Sequence, residues 1–193
     1  NPYPQNKVVR EWKDKVKKVI GWVCTYVPEE IVHASRMLPF RVFGDVKEIK
    51  GADAYLGTNT CSYVRSCFEW VLQNEYELLD GFITCASCDP MRRCFDTWNH
   101  YFKKPLNFIL APSPKITPQG IELYEKEFRR LLKKIGEVEG IEVGEDSLRN
   151  SIAVYNKSRR LLRELYESKK EDQIPLSGTE TLEIVRHAAR IPR

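Results

Sequence analysis

The sequence lacks any long apolar run. A membrane-spanning helix needs about 18 or more apolar residues in succession, whereas one of the longest apolar stretches here, 106–111, is already interrupted by Asn107. No signal-peptide pattern opens the chain, which starts with Asn1 rather than Met. From these absences we expect a soluble, cytoplasmic protein with no membrane partner.

The sequence also lacks the usual loops for nucleotides and the usual spacing for histidine-bound zinc. It contains neither GxGxxG nor GxxxxGK[ST], so it does not bind a dinucleotide or ATP through those loops. Its three histidines, His33, His100 and His187, form no HxxxH or HExxH pair. His33 shares a predicted helix with Glu29 and Glu30, and a surface position is its simpler interpretation.

Strong charge of one sign is absent as well. The 31 Lys and Arg residues exceed the 27 Asp and Glu residues by only four, and the pI is about 8.7. A dedicated nucleic-acid binder has a more lopsided balance, so we expect no nucleic-acid partner. The 42% hydrophobic and 11% aromatic contents are those of an ordered globular protein.

Apolar segments of strand length alternate with amphipathic segments of helix length. This alternation predicts an α/β fold with a parallel sheet flanked by helices. The predicted strands are 19–23, 40–43, 81–84 and 106–110. The predicted helices are 8–17, 28–36, 64–74, 89–101, 119–136, 146–168 and 179–189, with Asp89 as an N-cap ahead of Pro90.

Six cysteines are the chemically informative part of the composition. Cys61 and Cys88 each precede a predicted helix, where the positive helix end favours a thiolate, a metal or a cluster; the alternative is a pair of free thiols. Cys67 and Cys94 lie six residues further on and are interpreted as core residues. Cys85 forms a CxxC with Cys88, which is typical of a redox pair or half of a zinc site.

Several short motifs follow one another in a specific order. They are CTYVPEEIVHA from Cys24, LPFR from Leu38, CSYVRS from Cys61, CDPMRR from Cys88, SLRNSI from Ser147 and YNKSR from Tyr155. Each motif is weak alone, but the series resembles the benzoyl-CoA reductase / 2-hydroxyacyl-CoA dehydratase family over nearly the whole chain. The resemblance implies a flavodoxin-like or Rossmann-like lobe that holds a 4Fe-4S cluster.

The resemblance also implies which residues bind that cluster. Two of the family's three cluster cysteines match Cys61 and Cys88, while the third belongs to a C-terminal lobe that this sequence does not reach. We therefore expect 1–193 to be the N-terminal α/β iron–sulfur lobe, with a helical extension from about residue 119. The alternative is that a substitute ligand, such as Cys85 or a bridging sulfide, completes the site; Cys24 is a strand-end residue near the site and is kept only as a reserve ligand.

The function implied is that of an anaerobic oxidoreductase or lyase subunit. The family transfers one low-potential electron to a CoA thioester, and its partners are a homologous second subunit (or a second copy) and an ATP-hydrolysing iron–sulfur activator. Glu30 and His33 are weak catalytic candidates. Arg41, Arg65 and the pair Arg92–Arg93 are candidates to offset the charge of the cluster or of CoA phosphates. The alternatives are a double-cubane-cluster protein that reduces small molecules and a non-catalytic binding module with structural cysteines.

Overall fold

Four parallel strands form the central sheet of the computed structural model, which describes residues 7–15, 17–44, 48–113, 115–170 and 176–190. The strands are β1 (Val19–Trp22), β2 (Leu38–Arg41), β3 (Gly81–Cys85) and β4 (Leu106–Leu110). They lie in the order β2-β1-β3-β4, and all neighbours pair in parallel. The predicted α/β class, a parallel sheet flanked by helices, is confirmed.

The helices agree with the predicted ones apart from their ends. They are α1 (Lys7–Asp14), α2 (Glu29–Ala34), α3 (Ser62–Leu72), α4 (Asp89–Tyr101), α5 (Pro118–Glu139), α6 (Glu145–Glu167) and α7 (Gly178–Arg190). The predicted first helix included residue 16, which lies outside the described residues. Within the described ranges, no helix is long and apolar enough to cross a bilayer.

Two boundaries differ from the sequence predictions for reasons of hydrogen bonding. Strand β2 was predicted over 40–43, but the ladder already begins where the Leu38 N–H donates to the Lys18 carbonyl at 2.9 Å. At the other end, the Phe43 N–H donates to the Tyr76 hydroxyl, so the chain has left the sheet. The N-cap of α4 is Cys88 instead of Asp89, because its carbonyl accepts the first helical hydrogen bond.

Burial explains which strands are central. Every residue of β1 and β3 is buried, as expected for parallel strands covered on both faces, whereas β4 alternates between buried and half-buried positions at the edge. One apolar core lies between the sheet and α3 and α4, around Phe68, Phe82 and Trp98. The other core lies on the opposite face, where α2 and α5 pack.

The crossovers place two helix N-termini at the same edge of the sheet. Helix α3 leads into β3, and α4 connects β3 to β4, so both helices run back against the direction of the strands. They also contact each other and share one core. Both helices therefore begin at the carboxyl edge of the sheet, which is where open α/β folds place their ligands.

The last helix contributes little to these cores. Helix α7 lies against the edge strand β2, but the Leu182 side chain is 57% exposed. Val185 and Ala189, two other apolar residues of this helix, are only half-buried. Its apolar face is thus largely uncovered by the described part of the chain.

Candidate functional site

Cys61 and Cys88 occupy equivalent positions at the carboxyl edge. Each is the N-cap of its helix, Cys61 of α3 and Cys88 of α4, and each is exposed. Neither thiol makes a side-chain capping hydrogen bond, so both sulfurs remain available beside the positive helix ends. The predicted position of both cysteines at helix starts is confirmed, whereas their joint binding of one cluster stays a prediction.

A buried carboxylate fixes the loop that leads to Cys61. One Glu69 oxygen accepts hydrogen bonds from three successive backbone N–H groups, those of Lys50, Gly51 and Ala52, at 3.1, 2.8 and 2.8 Å. Burial alone raises the pKa of this carboxyl, but the backbone hydrogen bonds bring the net pKa below its usual value. Glu69 therefore holds the loop against α3 as an ionised group.

Sequence reasoning missed this role of Glu69, although a signal was present. Glu69 lies between Phe68 and Trp70 on the buried side of α3, where an unpaired charge is costly. A second contact holds the loop before Cys61 one helical turn earlier in α3. There Arg65 donates two hydrogen bonds to Asp53 of that loop, at 2.6 and 2.5 Å. Arg65, predicted as a counter-charge for a ligand, is thus paired within the chain.

Cys67 and Cys94 lie in the core beneath the exposed pair. Each side chain is 2% exposed and packs in the apolar layer between α3, α4 and the sheet. Burial raises the pKa of the Cys67 thiol to about 12 and that of Cys94 further. Their burial in this layer confirms the prediction that they pack as small apolar side chains.

Cys24 and Cys85 form a separate thiol pair at the ends of β1 and β3. Cys85 is the last residue of β3 and is fully buried, while Cys24 lies two residues past β1 and is half-buried. The Cys24 sulfur lies 3.1 Å from the Ser87 hydroxyl, and interaction with the Cys85 thiol is the largest cause that lowers the pKa of Cys24. The sequence predicted both strand-end positions but not this contact.

The remaining arginines proposed as counter-charges have different surroundings. Arg93 pairs with Asp89 at 2.6 Å on the exposed face of α4. Arg41 packs between the rings of Trp22 and Phe43, 5.0 and 5.1 Å from their centroids. Its buried Nε has no hydrogen-bond acceptor among the described residues. Arg92 is exposed and lines a polar depression of about 370 Å³ beside Ser87.

An apolar cavity of about 580 Å³ opens where α2, α5 and α6 meet the end of β1. Its lining includes Tyr26, Ile31, Tyr124, Phe128, Leu132 and Ile152. Glu30 also lines it and forms an ion pair with Arg159 of α6. The cavity therefore combines apolar walls with two ion pairs, Glu30–Arg159 and Glu125–Arg129.

His33 does not line this cavity. Its Nδ1 lies 2.8 Å from the Ser151 hydroxyl, and its ring packs edge-on against Tyr155. Burial lowers the pKa of the imidazole, which favours its neutral form. Of the two catalytic candidates, the structure brings Glu30 to a cavity and places His33 in the contact between α2 and α6.

The described residues do not supply a complete metal site. Across the described ranges, no group of three or more His, Cys, Asp or Glu side chains is close enough together to hold a metal ion. Cys61 and Cys88 are two exposed thiols at one sheet edge.

The fold and this edge define a parallel α/β domain that presents cysteines at helix N-termini. The family model of the 2-hydroxyglutaryl-CoA dehydratase D-component matches residues 24–192, and the chain belongs to that family. This range includes all six cysteines and both cavity-lining helices of the carboxyl half. The resemblance inferred from the motifs is confirmed.

Individual relatives agree with the family assignment. A benzoyl-CoA reductase subunit from Thauera aromatica is 29% identical over 188 residues, which cover 95% of this chain and 49% of the relative. The β subunit of (R)-2-hydroxyglutaryl-CoA dehydratase from Acidaminococcus fermentans is 29% identical over 180 residues, covering 91% and 48%. The β subunit of lactoyl-CoA dehydratase from Anaerotignum propionicum is 27% identical, covering 82% and 42%. The chain spans about half the length of these relatives.

Proposed function

We propose that the chain is the iron–sulfur α/β portion of an acyl-CoA dehydratase or reductase subunit, with Cys61 and Cys88 as cluster ligands. The observation that carries this proposal is their equivalent placement. Both cysteines cap helices that begin at the same edge of the sheet, and both are exposed. The relatives from Thauera and Acidaminococcus are subunits of enzymes named for their CoA substrates.

The thiols of Cys61 and Cys88 would supply two of the four iron ligands that a 4Fe-4S cluster needs. Thiolate is the usual protein ligand of such clusters, and an exposed thiol at a helix N-terminus is the form in which a ligand cysteine is needed. The buried Arg41 Nε, which lacks an acceptor among the described residues, adds a free donor close to Tyr63 in the first turn of α3. The remaining ligands would come from a further segment or a second subunit. When bound, the cluster would supply one-electron transfer at low potential.

Residues of this chain would position the substrate and keep water away from it. The cavity of about 580 Å³ is suited to an acyl group, because its walls are mostly aromatic and aliphatic. Glu30 is the candidate for proton transfer, since its carboxylate lies in the cavity wall and the ion pair with Arg159 fixes its position. Exposed Arg92 beside the polar depression is the candidate contact for CoA phosphates.

The same proposal includes two protein partners and a cytoplasmic location. The relatives are named as subunits, which supports a homologous partner subunit. The sequence contains no P-loop, so ATP hydrolysis would be performed by a separate activator protein. Electron delivery would then occur at the exposed edge that carries Cys61 and Cys88.

Anaerobic reconstitution tests the proposal. The chain is incubated with iron, sulfide and a small thiol that can complete the ligand set, desalted, and examined by visible and EPR spectroscopy. We expect a brown protein with about four irons per chain, as one cubane requires. A protein that stays colourless and binds no iron would favour a non-catalytic binding module. About eight irons per chain would favour the double-cubane alternative.

A further inference from the structure

We infer that Cys24 and Cys85 are a thiol redox pair: Cys24 is a nucleophile toward hydroperoxides, and Cys85 is the resolving thiol that closes a disulfide between β1 and β3. This inference is independent of the proposed cluster, because it concerns two other cysteines. It also differs from the CxxC hypothesis, in which Cys85 would pair with Cys88. Four observations on the described residues support it.

The first observation is the register of the two strands. Ile20, Gly21 and Trp22 of β1 pair with Gly81, Phe82 and Ile83 of β3. The pairing continues beyond the strand, since the Val23 N–H donates to the Ile83 carbonyl at 3.2 Å. Continued by two residues beyond Trp22 and Ile83, this register brings the Cys24 and Cys85 positions side by side. Neighbouring strands are about 4.8 Å apart, which falls within the Cα separation of about 4.4–6.8 Å that a disulfide spans.

The second observation is the backbone at Cys24. Its φ of 82° lies in the left-handed region, which glycine adopts readily and a side-chain-bearing residue rarely does. This turn ends β1 and aims the amide N–H groups of Thr25 and Tyr26 toward the Cys24 sulfur. A cysteine on a tight strand-to-helix turn thus has its sulfur surrounded by backbone donors.

The third observation is that the pKa values of the two thiols are shifted in opposite directions, down at Cys24 and up at Cys85. Interaction with the Cys85 thiol is the largest cause that lowers the pKa of Cys24, to about 5, and the Ser87 hydroxyl and the Tyr26 and Thr25 amides lower it further against the opposing effect of burial. The hydrogen bond to Cys24, together with burial, raises the pKa of Cys85. The other titratable groups facing the pair come from the loop after β1 and from α5, namely Tyr26, Tyr124 and Glu127. These opposite shifts favour the thiolate at Cys24 and the thiol at Cys85.

The fourth observation is unequal access. Cys24 is half-buried and its partner Ser87 lines the open polar depression near Arg92, whereas Cys85 is fully buried. An oxidant entering from solvent therefore meets Cys24 before Cys85. Because Cys85 belongs to the same chain and lies next to Cys24, it can react with an oxidised Cys24 without a second thiol compound entering the site.

The chemistry balances with a hydroperoxide as the oxidant. The Cys24 thiolate attacks the O–O bond; an S–O bond forms, the O–O bond breaks, and the alcohol or water leaves after taking up a proton. The Cys85 sulfur then attacks the Cys24 sulfenic acid; an S–S bond forms, the S–O bond breaks, and the thiol proton leaves with the hydroxide as water. The two thiols lose two electrons, and the hydroperoxide gains them.

Iron-free protein provides the test. The chain is purified with a chelator, treated with one equivalent of hydrogen peroxide, alkylated under denaturing conditions and digested. We expect two of the six thiols to disappear and the linked peptide to join Cys24 to Cys85. Mapping of the disulfide to Cys85 and Cys88, or thiol loss spread over all cysteines, would overturn the inference.

Two variants make the test more specific. In Cys85→Ala we expect the sulfenic acid of Cys24 to accumulate and to be trapped by dimedone, while Cys24→Ser should lose the rapid reaction. A Cys61→Ser/Cys88→Ser double variant should form the same disulfide as the parent chain, which separates this pair from the proposed cluster ligands. If circular dichroism shows that Cys85→Ala is unfolded, peptide mapping of the parent chain and of Cys24→Ser still tests the inference. Unchanged thiol loss in Cys24→Ser would contradict the inference.

Discussion

At the carboxyl edge of the sheet, the cysteines at helix starts and the cysteines at strand ends have different surroundings. Cys61 and Cys88 cap helices and are exposed, with no side-chain capping bond on either sulfur. Cys24 and Cys85 lie at the ends of adjacent central strands, where their interaction shifts the pKa values of the two thiols in opposite directions. Location on one sheet edge therefore does not define the chemistry of a cysteine. A thiol without a side-chain partner is available to a metal, whereas two thiols that interact with each other are not.

The largest expected effect is a loss of bound iron, which would distinguish the pair Cys61 and Cys88 from the pair Cys24 and Cys85. Cys61→Ser or Cys88→Ser should abolish most bound iron and the brown chromophore, because a hydroxyl is a much weaker ligand for iron than a thiolate. Iron analysis and visible absorption after anaerobic reconstitution measure this. Cys94→Ala is the matched control, since Cys94 is buried in the apolar layer beneath the exposed pair. It should keep the iron and lose about 1–2 kcal/mol of stability; bleaching in Cys94→Ala would show that the ligands are misassigned.

The second expected effect concerns reactivity at acidic pH. The lowered pKa of Cys24, about 5, keeps its thiolate populated at pH 6, so one thiol of the iron-free chain should react rapidly with iodoacetamide there. The rate should fall only as the pH drops through about 5. Mass spectrometry at short reaction times identifies the labelled residue. The rapid phase should be absent from Cys24→Ser, and its persistence there would remove the distinction between the two pairs.

The third expected effect tests what holds the Cys61 loop. Glu69→Gln should destabilise the chain by about 1–3 kcal/mol at pH 7, since an ionised acceptor of three backbone hydrogen bonds is replaced by a neutral one. Its folded-state pKa is below the unfolded value, so the contribution is present above the unfolded pKa and is lost as the pH falls through the folded one. Urea unfolding should therefore show a smaller difference between the parent chain and Glu69→Gln in acid than at pH 7.

A control for Glu69 lies close by in the chain. Glu75, just after α3, is half-buried and lacks the three backbone donors that Glu69 accepts from. Glu75→Gln should change the free energy of unfolding by less than about 0.5 kcal/mol. Equal effects of the two substitutions would show that the loop is not held by the Glu69 carboxylate.

The smallest expected effect is at the cavity rim. Arg159→Gln removes the partner of Glu30, but the arginine side chain is 45% exposed, so stability should change by less than about 1 kcal/mol. The change should instead weaken the binding of a CoA thioester, measured by isothermal titration calorimetry, because the position of Glu30 is no longer fixed. Unaltered affinity together with a large loss of stability would show that the ion pair serves the fold and not the cavity.

Much of the fold was predictable because it depends on local patterns. The buried segments now seen as β1, β3 and β4 are apolar, and the long helices α5 and α6 carry continuous apolar stripes. The positions of Cys61 and Cys88 at helix starts followed from the same patterns. Boundaries were less accurate, as at β2, because a strand ends where its ladder partners end.

The contacts that distinguish the two cysteine pairs depend on distant parts of the chain. Cys24 meets Ser87 across 63 residues, and His33 meets Ser151 across 118. Strand register determines the first contact and helix packing the second, and neither is encoded in a short motif. The anchoring of the Cys61 loop on Glu69 likewise requires the loop to fold back on α3.

The central claim is that Cys61 and Cys88 face each other across the sheet edge at a distance suited to one cluster. Cubane geometry with thiolate ligands puts their sulfurs roughly 6–7 Å apart. The most direct measurement is cross-linking of the iron-free chain with a short bifunctional thiol reagent, in a Cys24→Ser background that removes the competing thiolate. We predict a cross-linked peptide that joins Cys61 to Cys88. Cross-links from either residue only to other cysteines, in a chain that remains folded by circular dichroism, would contradict the account.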